Sequence, residues 1–114
     1  MAVLRGTKQN EFLPGTLDML VLRTLAHQPT HGYGIAQFIR QRSGDMLSIG
    51  EGSLYPALQR LKLKGYVASE WGKSDNMRRA RFYTLTDKGR RQLEQEIESF
   101  DRVLDGIARV MQPV

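Results

Sequence analysis

The sequence contains no cysteine and only two histidines, His27 and His31. A chain without thiols forms no disulfide bond, iron–sulfur cluster or thiolate zinc site, and it carries no cysteine nucleophile. Two histidines are also too few for most metal sites built from histidine. We therefore expect no metal ion and no cofactor. The absence of cysteine is consistent with a cytoplasmic protein.

Long apolar runs are also absent. The most apolar segment, residues 17–26, is interrupted by Asp18 and Arg23, whereas a membrane-spanning helix needs about 20 apolar residues. We therefore expect no membrane segment and no signal peptide. A chain of 114 residues has the usual length of one domain and leaves no room for two.

The residue types that catalytic sites need occur in no recognisable arrangement. Aspartate and glutamate are dispersed along the chain, and no serine has a histidine and an acid at a known spacing. The pair Gly32 and Gly34 follows a proline turn rather than a strand, and it is too short to hold a phosphate. We therefore expect that the protein is not an enzyme.

Charge is distributed unevenly along the chain. The whole sequence has 17 basic and 12 acidic residues, a net charge of +5. Residues 72–91 hold seven basic residues against two acidic ones, whereas residues 92–114 hold two against five. A basic block of this kind indicates a polyanionic partner, of which nucleic acid is the commonest. The alternative is a solvated face without a partner.

The first predicted helix covers about residues 17–28, with Thr16 as its N-cap. Its apolar residues form two stripes, one of Leu17, Leu20, Val21 and Leu25 and one of Met19, Leu22 and Ala26. A helix that is apolar on nearly all sides is buried on nearly all sides. In so small a domain we expect the second stripe to contact another chain.

Two further helices are predicted in the first half of the chain. The second ends at Gly44, a residue type that commonly follows a helix. A brief strand is predicted at residues 45–50, and a third helix follows at about 53–64. With Ser53 as its N-cap, Pro56 falls in the first turn, where a missing N–H group costs nothing.

The second half of the chain predicts a hairpin and a long helix. Strands at 67–73 and 81–85 flank a tip at residues 74–80, and Thr86 precedes a helix that ends near Met111. The apolar residues of this helix follow a heptad pattern: Leu93, Ile97, Phe100, Leu104, Ile107 and Met111. Such a seam packs on its own domain or pairs with the same helix of a second chain. The two-sided first helix favours pairing, with Met19 and Leu22 in the same interface.

These elements predict a mainly α fold with a small β-hairpin. Their order is that of a winged helix-turn-helix at residues 14–86, preceded by a flexible arm at 1–13 and followed by a dimerisation helix at 87–114. The third helix would then lie in a DNA major groove, and the hairpin is the wing. The alternative is a winged-helix module that docks another protein and has no DNA role.

Four segments resemble the PadR family of bacterial transcriptional regulators. They are residues 17–22 (LDMLVL), 31–35 (HGYGI), 52–61 (GSLYPALQRL) and 79–86 (RARFYTLT). The resemblance implies a cytoplasmic homodimer of the short branch of the family, which binds a pseudo-palindromic operator in nucleoid DNA, usually as a repressor. In the family, repression is often relieved by a small, frequently aromatic ligand. Leu63 departs from the pattern, because relatives commonly carry charge there.

Candidate DNA contacts follow from this assignment. On the third helix, Arg60 suits guanine, Gln59 suits adenine, and Ser53 and Tyr55 suit phosphates. The alternatives are that Ser53 only caps the helix, that Tyr55 packs and that Arg60 is solvated. Arginines at the wing neutralise phosphates. The complete set is Ser53, Tyr55, Pro56, Gln59, Arg60, Arg78, Arg79 and Arg81.

Two aromatic residues are candidates for stacking on a small ligand. Trp71 is the only tryptophan, and Phe100 lies on the heptad seam. The alternatives are that Trp71 packs within the wing and that Phe100 belongs to the dimer core.

Overall fold

The computed structural model describes residues 15–114, and within them the chain forms four helices and a three-stranded antiparallel sheet. The elements are α1 (Thr16–His27), β1 (Thr30–His31), α2 (Gly32–Arg42), α3 (Glu51–Leu63), β2 (Val67–Lys73), β3 (Arg79–Leu85) and α4 (Asp87–Met111). This is a winged helix-turn-helix followed by a long helix, so the predicted fold class is confirmed. The predicted arm at 1–13 lies outside the described residues, as does Pro14.

The core is organised around α1, which packs against α2, α3, β3 and α4. Val21 and Leu22 of α1 are fully buried, together with Ile35 of α2 and Leu58 of α3. Thr24 is also buried, and its hydroxyl donates a hydrogen bond to the carbonyl of Leu20 at 2.8 Å. Because helices of the same chain surround α1, its second apolar stripe (Met19, Leu22 and Ala26) packs in part against its own core: Leu22 is buried, and Met19 and Ala26 are partly buried.

Both predicted N-caps on α1 and α3 are wrong. α1 begins after Gly15, whose φ of 82° places it in the left-handed region, and Thr16 is buried inside the helix. α3 begins after Gly50, so Ser53 lies in its first turn and Pro56 in its second. Glycine suits the start of α1 because the left-handed conformation of Gly15 is one that other residues rarely adopt, whereas Gly50 has an extended backbone that any residue can adopt.

The strand predicted at residues 45–50 is absent from the described structure, where residues 47–50 form a loop. The alternation of apolar residues there reflects a loop that buries Ile49. The third strand is instead β1, which pairs with Tyr83 and Phe82 of β3. A strand of two residues is too short to show any alternation, so the sequence pattern carried no signal for it.

The wing is longer than predicted. β2 and β3 pair in register from Val67 opposite Leu85 to Lys73 opposite Arg79, so the tip contains residues 74–78 rather than 74–80. The Asn76 side chain accepts a hydrogen bond from the backbone N–H of Arg78 at 3.2 Å. Asn76 therefore helps to form the turn at the wing tip.

The long helix α4 is anchored at its start and extends away from the core at its end. The Thr86 hydroxyl caps the helix by accepting a hydrogen bond from the Gly89 N–H at 3.0 Å, and it donates to the Gly65 carbonyl at 2.7 Å. Leu93 is buried in the core. The 25 residues of α4 span about 37 Å at about 1.5 Å per residue, against a longest dimension of 57 Å for the molecule.

Gly89 and Gly106 lie on the same helix, but their surroundings predict that alanine has opposite effects on stability at the two positions. A Cβ atom at Gly89 meets the backbone carbonyl oxygen of Tyr66, whereas one at Gly106 meets open space. We expect Gly89→Ala to lower the free energy of unfolding by about 1–3 kcal/mol. Gly106→Ala should raise it by up to about 1 kcal/mol, because alanine favours helix. Urea unfolding of both variants checks this, and the same sign at both positions would contradict the packing described here.

Candidate nucleic-acid interface

Helical periodicity divides α3 into a buried face, an exposed face and two flanks. The buried face consists of Leu54, Ala57, Leu58 and Leu61. The opposite face, here called the outer ridge, consists of Gly52, Pro56, Gln59 and Leu63. All four ridge residues are exposed. Since a recognition helix reads bases with the side that faces away from its own core, the outer ridge is the candidate reading surface.

Trp71 positions two arginines on one face of the wing. Side chains alternate along a strand, so Trp71, Arg79 and Arg81 share the sheet face that carries the buried Tyr83 nearer the core. The guanidinium carbons of Arg79 and Arg81 lie 4.4 Å and 5.0 Å from the centroid of the Trp71 ring. These cation–π contacts hold both charges on the face that turns towards α2 and α3.

A cleft of about 740 Å³ separates the wing from α2 and α3. Its walls carry phenol, amide, indole and guanidinium groups, all of which donate hydrogen bonds: Tyr33, Gln37, Tyr55, Trp71, Arg78, Arg79 and Arg81. Among the described residues that line it, Asp75 has the one carboxylate. Burial raises the pKa of the Tyr83 hydroxyl at the base of the cleft, and the nearby Arg81 lowers it in part. The cleft therefore suits a phosphodiester backbone.

Two residues of this cleft, Tyr33 and Gln37, are not in the predicted set. They lie on α2, whose start is fixed by His31: its Nδ1 atom accepts a hydrogen bond from the Gly34 N–H at 3.0 Å. The His31 side chain therefore caps the start of α2. The Tyr33 side chain is 72% exposed. An exposed aromatic residue beside a glycine turn was the available sequence signal for it.

Tyr55 enters the cleft because α2 begins with a glycine. A Cβ atom at Gly32 would lie 2.9 Å from the Tyr55 hydroxyl oxygen and 3.1 Å from its ring. The phenol, its hydroxyl oxygen included, therefore packs on the bare backbone of Gly32 in the wall of the cleft. Gly32 is buried, whereas Tyr55 is 45% exposed. The alternative that Tyr55 packs therefore describes its contact with Gly32, and a hydrogen bond from Tyr55 to a phosphate stays a prediction.

Arg60 is turned away from the cleft. Its Nη2 atom lies 2.9 Å from Oδ1 of Asp18 in the first turn of α1. Ser53 lies on the same flank of α3 as Arg60, one that is separate from the outer ridge. The ion pair holds the guanidinium against α1 while 51% of the Arg60 side chain stays exposed, so a contact between Arg60 and a base stays a prediction. The sequence could not show this contact, because the partners are 42 positions apart.

The match to known proteins agrees with this architecture. The model of the transcriptional regulator PadR-like family matches residues 21–95, which is more than half of the chain. The chain belongs to this family. The resemblance drawn from the sequence motifs is thereby confirmed, and with it the assignment to transcriptional regulators.

Solved structures of regulators share the fold of this PadR-like chain. A transcriptional regulator from Clostridium thermocellum is 27% identical, with a TM-score of 0.76 and coverage of 83% of this chain and 92% of that one. A PadR family regulator from Eggerthella lenta is 30% identical, with a TM-score of 0.75 and coverage of 88% and 85%. An uncharacterised 37.1 kDa transposon protein from Streptomyces fradiae is 46% identical over 86 residues, which are 75% of this chain and 23% of that protein.

Charged residues of three helices meet near the Asp18–Arg60 pair of the PadR-like fold. Burial raises the pKa of Glu96 on α4, and the Asp18 carboxylate raises it further, whereas a hydrogen bond from Gln92 and the charge of Lys64 lower it. Asp18 is only 17% exposed at its side chain. This junction therefore joins α3 to α1 and α4 through charge as well as apolar packing.

A double-mutant cycle on Asp18→Asn and Arg60→Met measures that link. We expect each single variant to lower the free energy of unfolding. The double variant should lower it by less than the sum of the two single changes, with a coupling free energy of about 1 kcal/mol or less. The matched control is the Glu98–Arg102 pair on α4, whose side chains are both 73% exposed and whose coupling should be a few tenths of a kcal/mol. Equal coupling in the two cycles would contradict the special role of the junction.

Two of the residues predicted for the dimer interface are inaccessible. Leu22 is 0% exposed and Leu93 is 4% exposed, because both belong to the core of their own chain. Met19 and Phe100 are half-buried and line a groove of about 240 Å³ between α1 and α4. The remaining seam residues lie along one face of α4, from its middle to its end: Ile97, Leu104, Ile107 and Met111. This face is available to a partner.

The described residues add two findings on site types. No helix within residues 15–114 is long and apolar enough to cross a membrane. In the same residues, no group of three or more histidine, aspartate or glutamate side chains is placed to hold a metal ion.

Proposed function

We propose that this PadR-like protein is a sequence-specific DNA-binding repressor that acts as a homodimer. The observation that carries the proposal is the cleft in which Trp71 holds Arg79 and Arg81 opposite the phenols of α2 and α3. A cleft of hydrogen-bond donors beside an exposed reading helix matches the way winged helices hold one DNA strand.

The cleft and the outer ridge have separate tasks in this proposal. The donors of hydrogen bonds to phosphates, which fix the position of the domain on the duplex, are Tyr33, Tyr55, Arg79 and Arg81. Arg78, exposed at the wing tip, adds a further charge contact with the backbone. The outer ridge enters the major groove, where base edges differ between the four base pairs.

The homodimer follows from the unpartnered half of α4. Phe100, Leu104 and Ile107 continue a heptad pattern beyond the core, and two such faces related by a twofold axis bury each other. Two reading helices then reach successive major grooves about 34–36 Å apart on a pseudo-palindromic operator. Met19, beside Phe100 in the α1–α4 groove, is at the edge of this interface.

A small ligand would release the DNA by acting at one of two places. Trp71 lies inside the proposed phosphate cleft, so an aromatic molecule stacked on it would compete with DNA directly. Phe100 lies in the α1–α4 groove, so a ligand there would alter the angle between the two wings and shift the population away from the binding spacing. With DNA as its partner, the protein acts in the cytoplasm, on the nucleoid.

Fluorescence anisotropy of labelled DNA tests the proposal. The probe is the region upstream of the protein's own gene, with scrambled DNA of equal length as competitor, titrated across salt. We expect specific binding at least about a thousandfold tighter than to the scramble, with a steep salt dependence. Absence of binding at low salt would overturn the proposal in favour of a protein-docking winged helix.

A further inference from the structure

The outer ridge of α3 is uncharged. Within α3, which lies entirely among the described residues, the charged side chains are off the ridge on its flanks and at its start. The ridge itself offers one amide, from Gln59, and two apolar side chains, from Pro56 and Leu63. Leu63, the one leucine of the ridge, is 85% exposed at the end of the helix.

We infer that the outer ridge recognises A·T base pairs, an inference that rests on the proposed function. Gln59 pairs with N6 and N7 of adenine, and the side chains of Pro56 and Leu63 contact the 5-methyl groups of thymines. Guanine is read mainly by arginine or lysine, and cytosine by a carboxylate. The ridge carries neither, and the one arginine of α3, Arg60, is held by Asp18.

The dimensions of the ridge set the size of the recognised segment. From Pro56 to Leu63 the helix rises about 10 Å, at about 1.5 Å per residue. That length corresponds to about three base-pair steps of about 3.4 Å. The two apolar side chains therefore contact thymines at the ends of a short segment, and Gln59 reads an adenine between them.

Replacing thymine by deoxyuridine tests the inference, because it deletes one methyl group and leaves every hydrogen-bonding group of the base unchanged. The half-site is first obtained by selecting tight binders from randomised DNA with the wild-type protein. Each thymine is then replaced in turn. We expect a loss of about threefold to fourfold in affinity at each contacted thymine, the equivalent of one buried methyl group.

Two variants assign the contacts to residues. Leu63→Ala should bind the DNA with thymine at the Leu63 position more weakly than wild type does. Replacing that thymine by uracil should cost this variant no further affinity. Gln59→Ala should lose about tenfold at the adenine position and discriminate less between bases there. The matched control is Lys64→Ala, beside Leu63 but off the ridge, which should bind all sites more weakly and keep the full uracil effect.

The outcomes separate the two proposals. Specific binding with no uracil effect, or a selected half-site with G·C pairs at the ridge positions, would overturn this inference and leave the DNA-binding function intact. A uracil effect that persists in Leu63→Ala and Pro56→Ala would likewise overturn the assignment to the ridge. Failure to select any DNA would overturn both.

Discussion

Reversing Arg79 and Arg81 to glutamate is expected to lower operator affinity on the order of 100-fold at about 100 mM salt. Each substitution removes a guanidinium from the cleft and places a carboxylate beside phosphates, so attraction becomes repulsion. The slope of log affinity against log salt should also become shallower, by about two for each wing and about four for the dimer. Anisotropy titrations at several salt concentrations measure both quantities.

Arg90→Glu with Arg91→Glu is the matched control. These arginines are exposed on the first turns of α4 and do not line the cleft, yet the change in net charge is the same. We expect a smaller loss, caused by the weaker field of the whole protein. Equal losses of affinity in the two pairs of variants would show that the wing arginines act only through the net charge of the protein. Unchanged operator affinity in the wing pair would show that DNA binding does not use the two wing arginines.

The parts of this fold that the sequence predicts best are those whose signal is local. Thr86 lies in front of a helix of strong heptad pattern, and the structure places it as the N-cap of α4. Turn-forming residues at 74–76 separate two short segments and thereby predict the two wing strands. Local propensity and tertiary packing agree at these places, so a pattern within a few residues sufficed.

The parts that the sequence missed depend on contacts between distant residues. The helical position of Arg60 suits a DNA contact, and no local pattern indicates the ion pair that Arg60 makes with Asp18. Leu22 and Leu93 continue apolar stripes that suit a partner equally well, and only the packing of α1 against α4 decides that their own chain covers them. Periodicity identifies an apolar face, but it does not identify what covers that face.

Leu104→Asp is expected to convert the protein to a monomer without unfolding it. Leu104 lies beyond the part of α4 that joins the core, so the fold of each chain loses little. In a twofold dimer the substitution buries two carboxylates at facing positions, which costs several kcal/mol. The dimer dissociation constant should therefore rise by a factor of about a thousand or more. Size-exclusion chromatography with light scattering at micromolar concentration measures the mass, and urea unfolding checks the fold.

Gln95→Asp and Leu93→Ala are the controls for this variant. Gln95 is exposed on the opposite face of α4, so the same added charge should leave the dimer intact. Leu93 lies in the core, so its truncation should lower the free energy of unfolding by about 2–5 kcal/mol and leave the mass of the folded protein unchanged. A dimer that survives Leu104→Asp would place the interface elsewhere on the chain.

DNA binding by the monomer separates two ways in which a dimer recognises its operator. A preformed dimer presents its second domain at millimolar effective concentration once the first is bound. Leu104→Asp should therefore bind an isolated half-site about as tightly as a single wild-type domain does, while losing about a hundredfold or more on the full operator. If the variant loses affinity equally for the half-site and the full operator, the seam stabilises the DNA-binding domain itself. In that case α4 acts as part of the fold of one chain rather than as a link between two copies.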